Sequence, residues 1–228
     1  MVKKAVQTLE FEYWTDPLCI WAYVAQPKLD HVLTRWKHRV EVRYHVVPVF
    51  GSIAWRFREG PWAKEGPEGR AAATRRVAQE HGITDVSGEC WLSDCPASSW
   101  PAGAAVEAVF AMEQDEEIPE GAAGAYLLAM RRRFFVDGQN VTRRQVQLVL
   151  AEELDVPRAS LEQRLDDGSA IARLHEDYEQ KERLRIQGSP TYVFDGGRAM
   201  FYGNFPLEVL TATVEKLVDG LDLGGSAC

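Results

Sequence analysis

Leu9-Glu10-Phe11-Glu12-Tyr13-Trp14-Thr15-Asp16-Pro17-Leu18-Cys19-Ile20-Trp21-Ala22-Tyr23 is the stretch from which the fold is read. Leu9, Phe11 and Tyr13 alternate with Glu10 and Glu12, which is the two-residue period of a strand. Thr15-Asp16-Pro17 breaks it. The pattern then predicts a helix from about Cys19 to Lys37, with Asp16 as N-cap, Pro17 in the first turn and a kink at Pro27. Val40-Glu41-Val42-Arg43-Tyr44-His45-Val46 alternates again and stops near Pro48. Strand, helix and strand in the first 50 residues make a βαβ unit, which implies a parallel pair.

Outward from this unit the chain changes character. From Gly51 to Trp100 it is rich in Gly, Pro and Trp, with one helical stretch around Ala71–His81. From Ala102 to about Gln187 the pattern is helical. Thr142 and Gln145 match a capping box opening a helix that ends near Leu154, and Arg158–Leu165 and Ala170–Arg185 read as two more helices. Thr191-Tyr192-Val193-Phe194 and Ala199-Met200-Phe201-Tyr202 then read as a hairpin around Asp195-Gly196-Gly197. Pro206 opens a closing helix with Leu207, Leu210, Val214 and Leu217 on one face. The expected organisation is a sheet domain from 1–50 and 188–220, a helical insertion over 51–187, and a flexible tail over 221–228.

The chain has 228 residues, 46% hydrophobic and 26% charged, which suits one large domain or one domain with a big insertion and excludes a disordered chain. A net charge of −8 argues against general nucleic-acid binding but leaves room for a local basic patch. No apolar run approaches the roughly 18 residues of a membrane helix. Lys3 and Lys4 are followed by no apolar segment, so no secretory signal and a cytoplasmic location are expected. The cysteines are Cys19, Cys90, Cys95 and Cys228. Four are too few for a disulfide scaffold, and no C-x-x-C or histidine pair has metal-ligand spacing, so no metal is expected.

Cys19 follows a strand and opens a helix. The backbone N–H groups of a helix start favour a thiolate, so the thiol is expected to ionise below its free value of about 8.5. The alternative is a buried, inert cysteine. The second element is Gly188-Ser189-Pro190-Thr191, directly before an apolar strand. A bare Ser-Pro says little, and a trans proline opening a strand is its plain reading.

Taken together, these elements resemble the thioredoxin fold in its DsbA/FrnE-like branch, whose relatives include kappa-type glutathione transferases and chromene-carboxylate isomerases. The resemblance is carried by Asp16 to Tyr23, by Asp94 to Ala102, by Gly138-Gln139-Asn140-Val141, and by Gly188-Ser189-Pro190-Thr191 with Tyr202-Gly203-Asn204 behind it. It implies an α/β thioredoxin-like fold with a large α-helical insertion lying over Cys19. It also implies a cis Pro190 facing Cys19, with Ser189, Pro190 and Thr191 presenting backbone to an extended thiol substrate.

Family members that oxidise or isomerise disulfides carry C-x-x-C, but here the second position is Ala22. A lone thiol forms a mixed disulfide whose resolving thiol comes from elsewhere. The expected function is therefore a thiol oxidoreductase or thiol transferase acting through Cys19 alone. It would work with glutathione or another low-molecular-weight thiol, or with Cys90 or Cys95 as a resolving thiol. A glutathione-transferase or isomerase-like enzyme and a redox-inactive binding module stay open. The expected partner is a small thiol or an extended peptide or protein thiol, with no nucleic acid and no membrane. A homodimer through an edge strand or the insertion has no residue that singles it out.

Other residues carry narrower expectations. Trp21 is expected to pack against substrate and Trp36 to face the core. Asp16 reads as a cap rather than an acid or base, although close to Cys19 it would raise the thiol pKa. His45 is expected to face solvent. Arg131-Arg132-Arg133 reads as a solvated face, or more sharply as an anion clamp. Ser98 and Ser99 could offer hydroxyls to the groove.

Overall fold

The computed structural model describes residues 8–220; Cys228 and the expected tail lie outside them. Strand β1, Leu9–Thr15, leads to helix α1, Ile20–Arg35, and then to β2, Val40–Val46. The parallel pairing runs in register from Leu9 opposite Val40 to Thr15 opposite Val46. β3, Thr191–Phe194, pairs antiparallel with β1, setting Trp14 opposite Thr191, and β4, Ala199–Tyr202, pairs antiparallel with β3. The sheet order is β2-β1-β3-β4. The central β1–β3 pair brings the Asp16 turn beside Pro190.

Between β2 and β3 come α2 (Ile53–Arg58), α3 (Gly66–Glu80), α4 (Trp100–Gln114), α5 (Ala122–Phe135), α6 (Arg144–Glu153), α7 (Arg158–Asp166) and α8 (Ser169–Leu184); α9, Leu207–Val218, follows β4. This is the α/β thioredoxin-like architecture with helices added between its halves.

Two large apolar cores and a small cluster of Trp14, Val47, Ile186 and Val193 hold it. One face of the sheet buries Phe11, Tyr13, Tyr192 and Phe194 against Leu29 and Val32 of α1 and Leu210 and Val214 of α9. The Phe11 and Phe194 rings stack at 4.7 Å. Each of those buried leucines and valines is worth roughly 1.5–3 kcal/mol. The larger core centres on α4, buried without a break from Ala102 to Met112, as expected of a helix surrounded by others. Gly103 permits this closeness: a Cβ there would come within 3.2 Å of Val46 and 3.3 Å of Leu174.

As expected, α1 continues past Pro27 instead of ending there. The hairpin expected around Asp195-Gly196-Gly197 does form, its link a 3₁₀ turn with positive φ at all three residues. Other local expectations need correction. The capping box at Thr142 does not form: α6 is capped by Arg143 without a side-chain bond, and the Thr142 hydroxyl donates to Asn140 Oδ1 at 2.5 Å. His45 is buried, stacked on Trp14 at 4.1 Å and bonded to Asp177 at 2.6 Å, because α8 covers that end of β2.

Candidate active site

β1 ends in a turn that Asp16 builds from within. Its Oδ1 accepts the Leu18 N–H at 2.7 Å, the local side-chain bond that favours Asp in turns. Its Oδ2 accepts the Val49 N–H at 2.7 Å and the Ser99 hydroxyl at 2.7 Å, while its own N–H donates to Ser189 Oγ at 2.9 Å. One fully buried carboxylate thus ties β1 to the loop after β2 and to the start of α4. Asp16 caps this turn and not α1, whose N-cap is Cys19. Burial pushes the Asp16 carboxyl up to about 6; hydrogen bonds from Ser99, Leu18 and Val49 and the charge of Arg131 work against that rise.

Cys19 is 5% exposed. Its Sγ donates to the Ser189 carbonyl at 3.2 Å, and the Ser189–Pro190 peptide bond is cis. The expected lowering of the thiol pKa is overturned. Burial pushes the Cys19 thiol up, and the nearby Asp16 carboxylate adds to it; hydrogen bonds from Ser189 and the Ala22 N–H, with the charge of Arg131, pull down and lose. The helix start acts through Ala22, as its geometry requires, but desolvation outweighs it.

Cys19 lies at the base of a pocket of about 460 Å³. Its walls are Trp21 from α1, Val49 and Phe50 after β2, and Tyr178 and Tyr202. Arg56, Arg70 and Lys181 also line it, and this lining includes no Asp or Glu. Arg56 donates to the Val49 carbonyl at 2.5 Å, and the Trp62 ring packs with both Arg56, at 5.1 Å, and Arg70, at 4.4 Å. Burial lowers the pKa of Arg70, against the opposing pull of Cys19 and Cys90. The site therefore carries a local positive field in a chain of net charge −8.

The pocket brings together Cys19, Trp21 and Ser189; Trp21 stands 42% exposed at the rim. Thr191 is not a substrate contact, for it is fully buried in β3 and its hydroxyl donates to the Gly188 carbonyl at 2.7 Å. It shapes the segment before Pro190 from behind. Neither Cys90 nor Cys95 is among the lining residues. Cys90 is fully buried, and the half-buried Cys95 donates weakly to the Pro96 carbonyl at 3.6 Å. Burial raises both thiols, Cys95 to about 11. Ser99 is spent on Asp16, and the Ser98 hydroxyl accepts the Trp100 N–H at 3.2 Å. Of the basic run, Arg131 is fully buried and lines no part of the pocket, contrary to both readings of it, and Arg133 pairs with Glu153. Arg56, Arg70 and Lys181 are the residues that sequence reasoning missed. They come from three separate helices, and no local pattern links them.

A larger hollow, about 850 Å³, borders the outer edge of β2. It has no cysteine in its lining, so the smaller pocket is the candidate for chemistry. Among the described residues no group of three or more His, Cys, Asp or Glu is placed to hold a metal ion, and no helix is long and apolar enough to cross a membrane.

A strand–Cys–helix facing a cis proline, with helices inserted above, points to one fold branch, and the family described as the DSBA-like thioredoxin domain matches residues 103–215. The likeness to that family spans these residues. The matched span holds Pro190 and most of the inserted helices and begins beyond Cys19. The ClpXP adapter protein SpxH of Halalkalibacterium halodurans is 23% identical over 224 residues, 95% of this chain and 70% of that protein. A solved structure of a candidate protein disulfide isomerase from Nitrosomonas europaea superposes with a TM-score of 0.74 at 17% identity, covering 94% of this chain and 99% of that one. The cytosolic disulfide reductase DsbM from Pseudomonas aeruginosa, solved with GSH, gives a TM-score of 0.66 at 21% identity over 92% and 99% of the two chains. These solved structures share the thioredoxin-like fold of this chain.

Proposed function

We propose that this protein is a monothiol disulfide reductase that works with an anionic low-molecular-weight thiol of the glutathione kind. The observation that carries this is Cys19 Sγ at 3.2 Å from the carbonyl before cis Pro190, in a pocket lined by Arg56, Arg70 and Lys181. A thiol bearing carboxylates suits that lining, because guanidinium–carboxylate bonds are charge-assisted. The DsbM likeness, in a structure that contains GSH, points the same way.

In the first step the Cys19 thiolate attacks one sulfur of the substrate disulfide. A mixed disulfide forms, the substrate S–S bond breaks, and the departing thiolate takes up the proton that Cys19 gave up. A second low-molecular-weight thiol then attacks the mixed disulfide, restores Cys19 and leaves within a new disulfide. Ala22 supplies no resolving thiol, so the external one is obligatory. A reducing cytoplasm would supply the second thiol.

Intact-mass measurement tests the reading. Glutathione disulfide should add one glutathionyl group at Cys19, reduced glutathione should remove it, and Cys19→Ser should take up none. A folded protein whose Cys19 never forms the adduct would instead be a redox-inactive binding module. The observation favouring that second reading is the depth of Cys19 and the raised pKa of its thiol.

A further inference from the structure

β2 is an outer strand of the sheet, and its free edge borders the hollow of about 850 Å³. Successive residues of a parallel strand turn their backbone groups to opposite sides. The Val47 N–H turns inward and donates to the Thr15 carbonyl at 2.8 Å, so Val40, Val42, Tyr44 and Val46 turn theirs outward. Both ends of this row are occupied. The Val40 N–H donates to the Trp36 carbonyl at 3.0 Å, and the Val46 N–H to Asp177 Oδ2 at 2.6 Å. Between them, the N–H and C=O groups of Val42 and Tyr44 have no partner among the described residues. An edge in that state is a template for another strand.

The side chains select which strand. Val40, Val42 and Tyr44 share one face of β2, and Glu41 and Arg43 share the other. Charges on an edge strand commonly keep it unpaired, and two of like sign would do so here. Glu41 and Arg43 are opposite in sign and exposed, and neither enters a salt bridge among the described residues. A second copy laid antiparallel about a two-fold axis at Val42 sets each Glu41 opposite the partner's Arg43. It also sets Val42 opposite the partner's Val42, and Val40 opposite the partner's Tyr44. One face then carries opposite-charge pairs and the other carries apolar pairs, both favourable across strands. The Val42 N–H meets the partner's Val42 carbonyl, and the Tyr44 N–H meets the partner's Val40 carbonyl, whose own N–H is already held by Trp36. Moving the axis to Glu41 or to Arg43 sets that charge against itself, which is destabilising.

We propose that the free edge of β2 is a self-pairing surface, through which two copies of this chain form an isologous dimer centred on Val42. The hollow beside this edge and the Cys19 pocket share no lining residue, so the inference is independent of the reading of Cys19.

Sedimentation velocity of the full chain tests it. Wild type should pass from monomer to dimer between about 1 μM and about 1 mM. Arg43→Glu and Glu41→Arg should each raise the dimer dissociation constant about tenfold, since attractive pairs become repulsive ones. Glu41→Arg combined with Arg43→Glu should restore dimerisation, because the pairs are exchanged and not lost. All these side chains are exposed, and thermal melting verifies that the variants fold. The register has its own readout. Glu41→Cys mixed with Arg43→Cys should form, on oxidation, an intermolecular disulfide between the two introduced thiols, identified by peptide mass, while either variant alone should form none at its introduced thiol. A wild-type chain that stays monomeric throughout would overturn the proposal. So would a dimer indifferent to both single reversals, which would place the contact on another surface.

Discussion

Asp16 and Cys19 sit three residues apart in the same desolvated turn, and each opposes the ionisation of the other. Asp16→Asn should therefore lower the midpoint of Cys19 alkylation, since the carboxylate adds to the rise caused by burial. The same carboxyl also predicts a pH dependence of stability. Its folded pKa of about 6 lies above the ordinary 3.8, so the native state binds more protons than the unfolded state between those values. The contribution is fully present below pH 4 and is lost as pH rises through 6. Urea unfolding across this window should show wild type losing about 3 kcal/mol relative to Asp16→Asn, from two pKa units at 1.36 kcal/mol each. A constant difference would mean that Asp16 is not pushed up. The residues of the turn were legible in the sequence, but the sign of the Cys19 shift was not. Helix position is local and can be read from spacing; burial depends on what folds over the turn from 80 and 170 residues away.

At the scale of elements, the inserted helices are joined to the sheet by a polar latch. Asp177 of α8 accepts His45 Nδ1 and the Val46 N–H, each at 2.6 Å, at the end of β2. Glu107 of α4 lies beside it and is pushed well above the carboxylate range by burial, then by Asp177 itself. Glu107 is thus held towards its protonated form. Glu107→Gln should change the unfolding free energy by less than about 0.5 kcal/mol at neutral pH, because the amide mimics the acid already present. Asp177→Asn should cost about 2 kcal/mol, because an amide has one oxygen where the carboxyl uses two to accept from His45 and the Val46 N–H. Equal effects in thermal or urea melts would refute this division of roles. The strand alternation located β2 correctly and still misassigned His45. Period two tells which residues share a face, and only the packing of α8 decides that this face is covered.

For the whole molecule, the tension is between an acidic chain and a cationic pocket. Arg56 and Arg70 stack on Trp62, and Lys181 approaches from α8, so the positive field exists only once three helices have docked around Cys19. The order of elements was readable along the chain because each strand and helix announces itself locally. The pocket charge was not, because its contributors share no period and no motif. The field makes a distinguishing prediction about substrate. Arg70→Met should slow capture of glutathione disulfide at Cys19 by about tenfold, the scale of one charge-assisted hydrogen bond. Capture of uncharged 2-hydroxyethyl disulfide should stay within about twofold. Arg70 also packs over Trp91 at 5.1 Å, so Arg70→Lys is the companion that keeps the charge while losing the planar stack. Raising salt should weaken glutathione disulfide capture by wild type and leave the neutral disulfide unaffected. If both disulfides respond alike to Arg70→Met and neither to salt, the cations serve to hold the aromatic wall together, and the acidic groups of the substrate are recognised elsewhere.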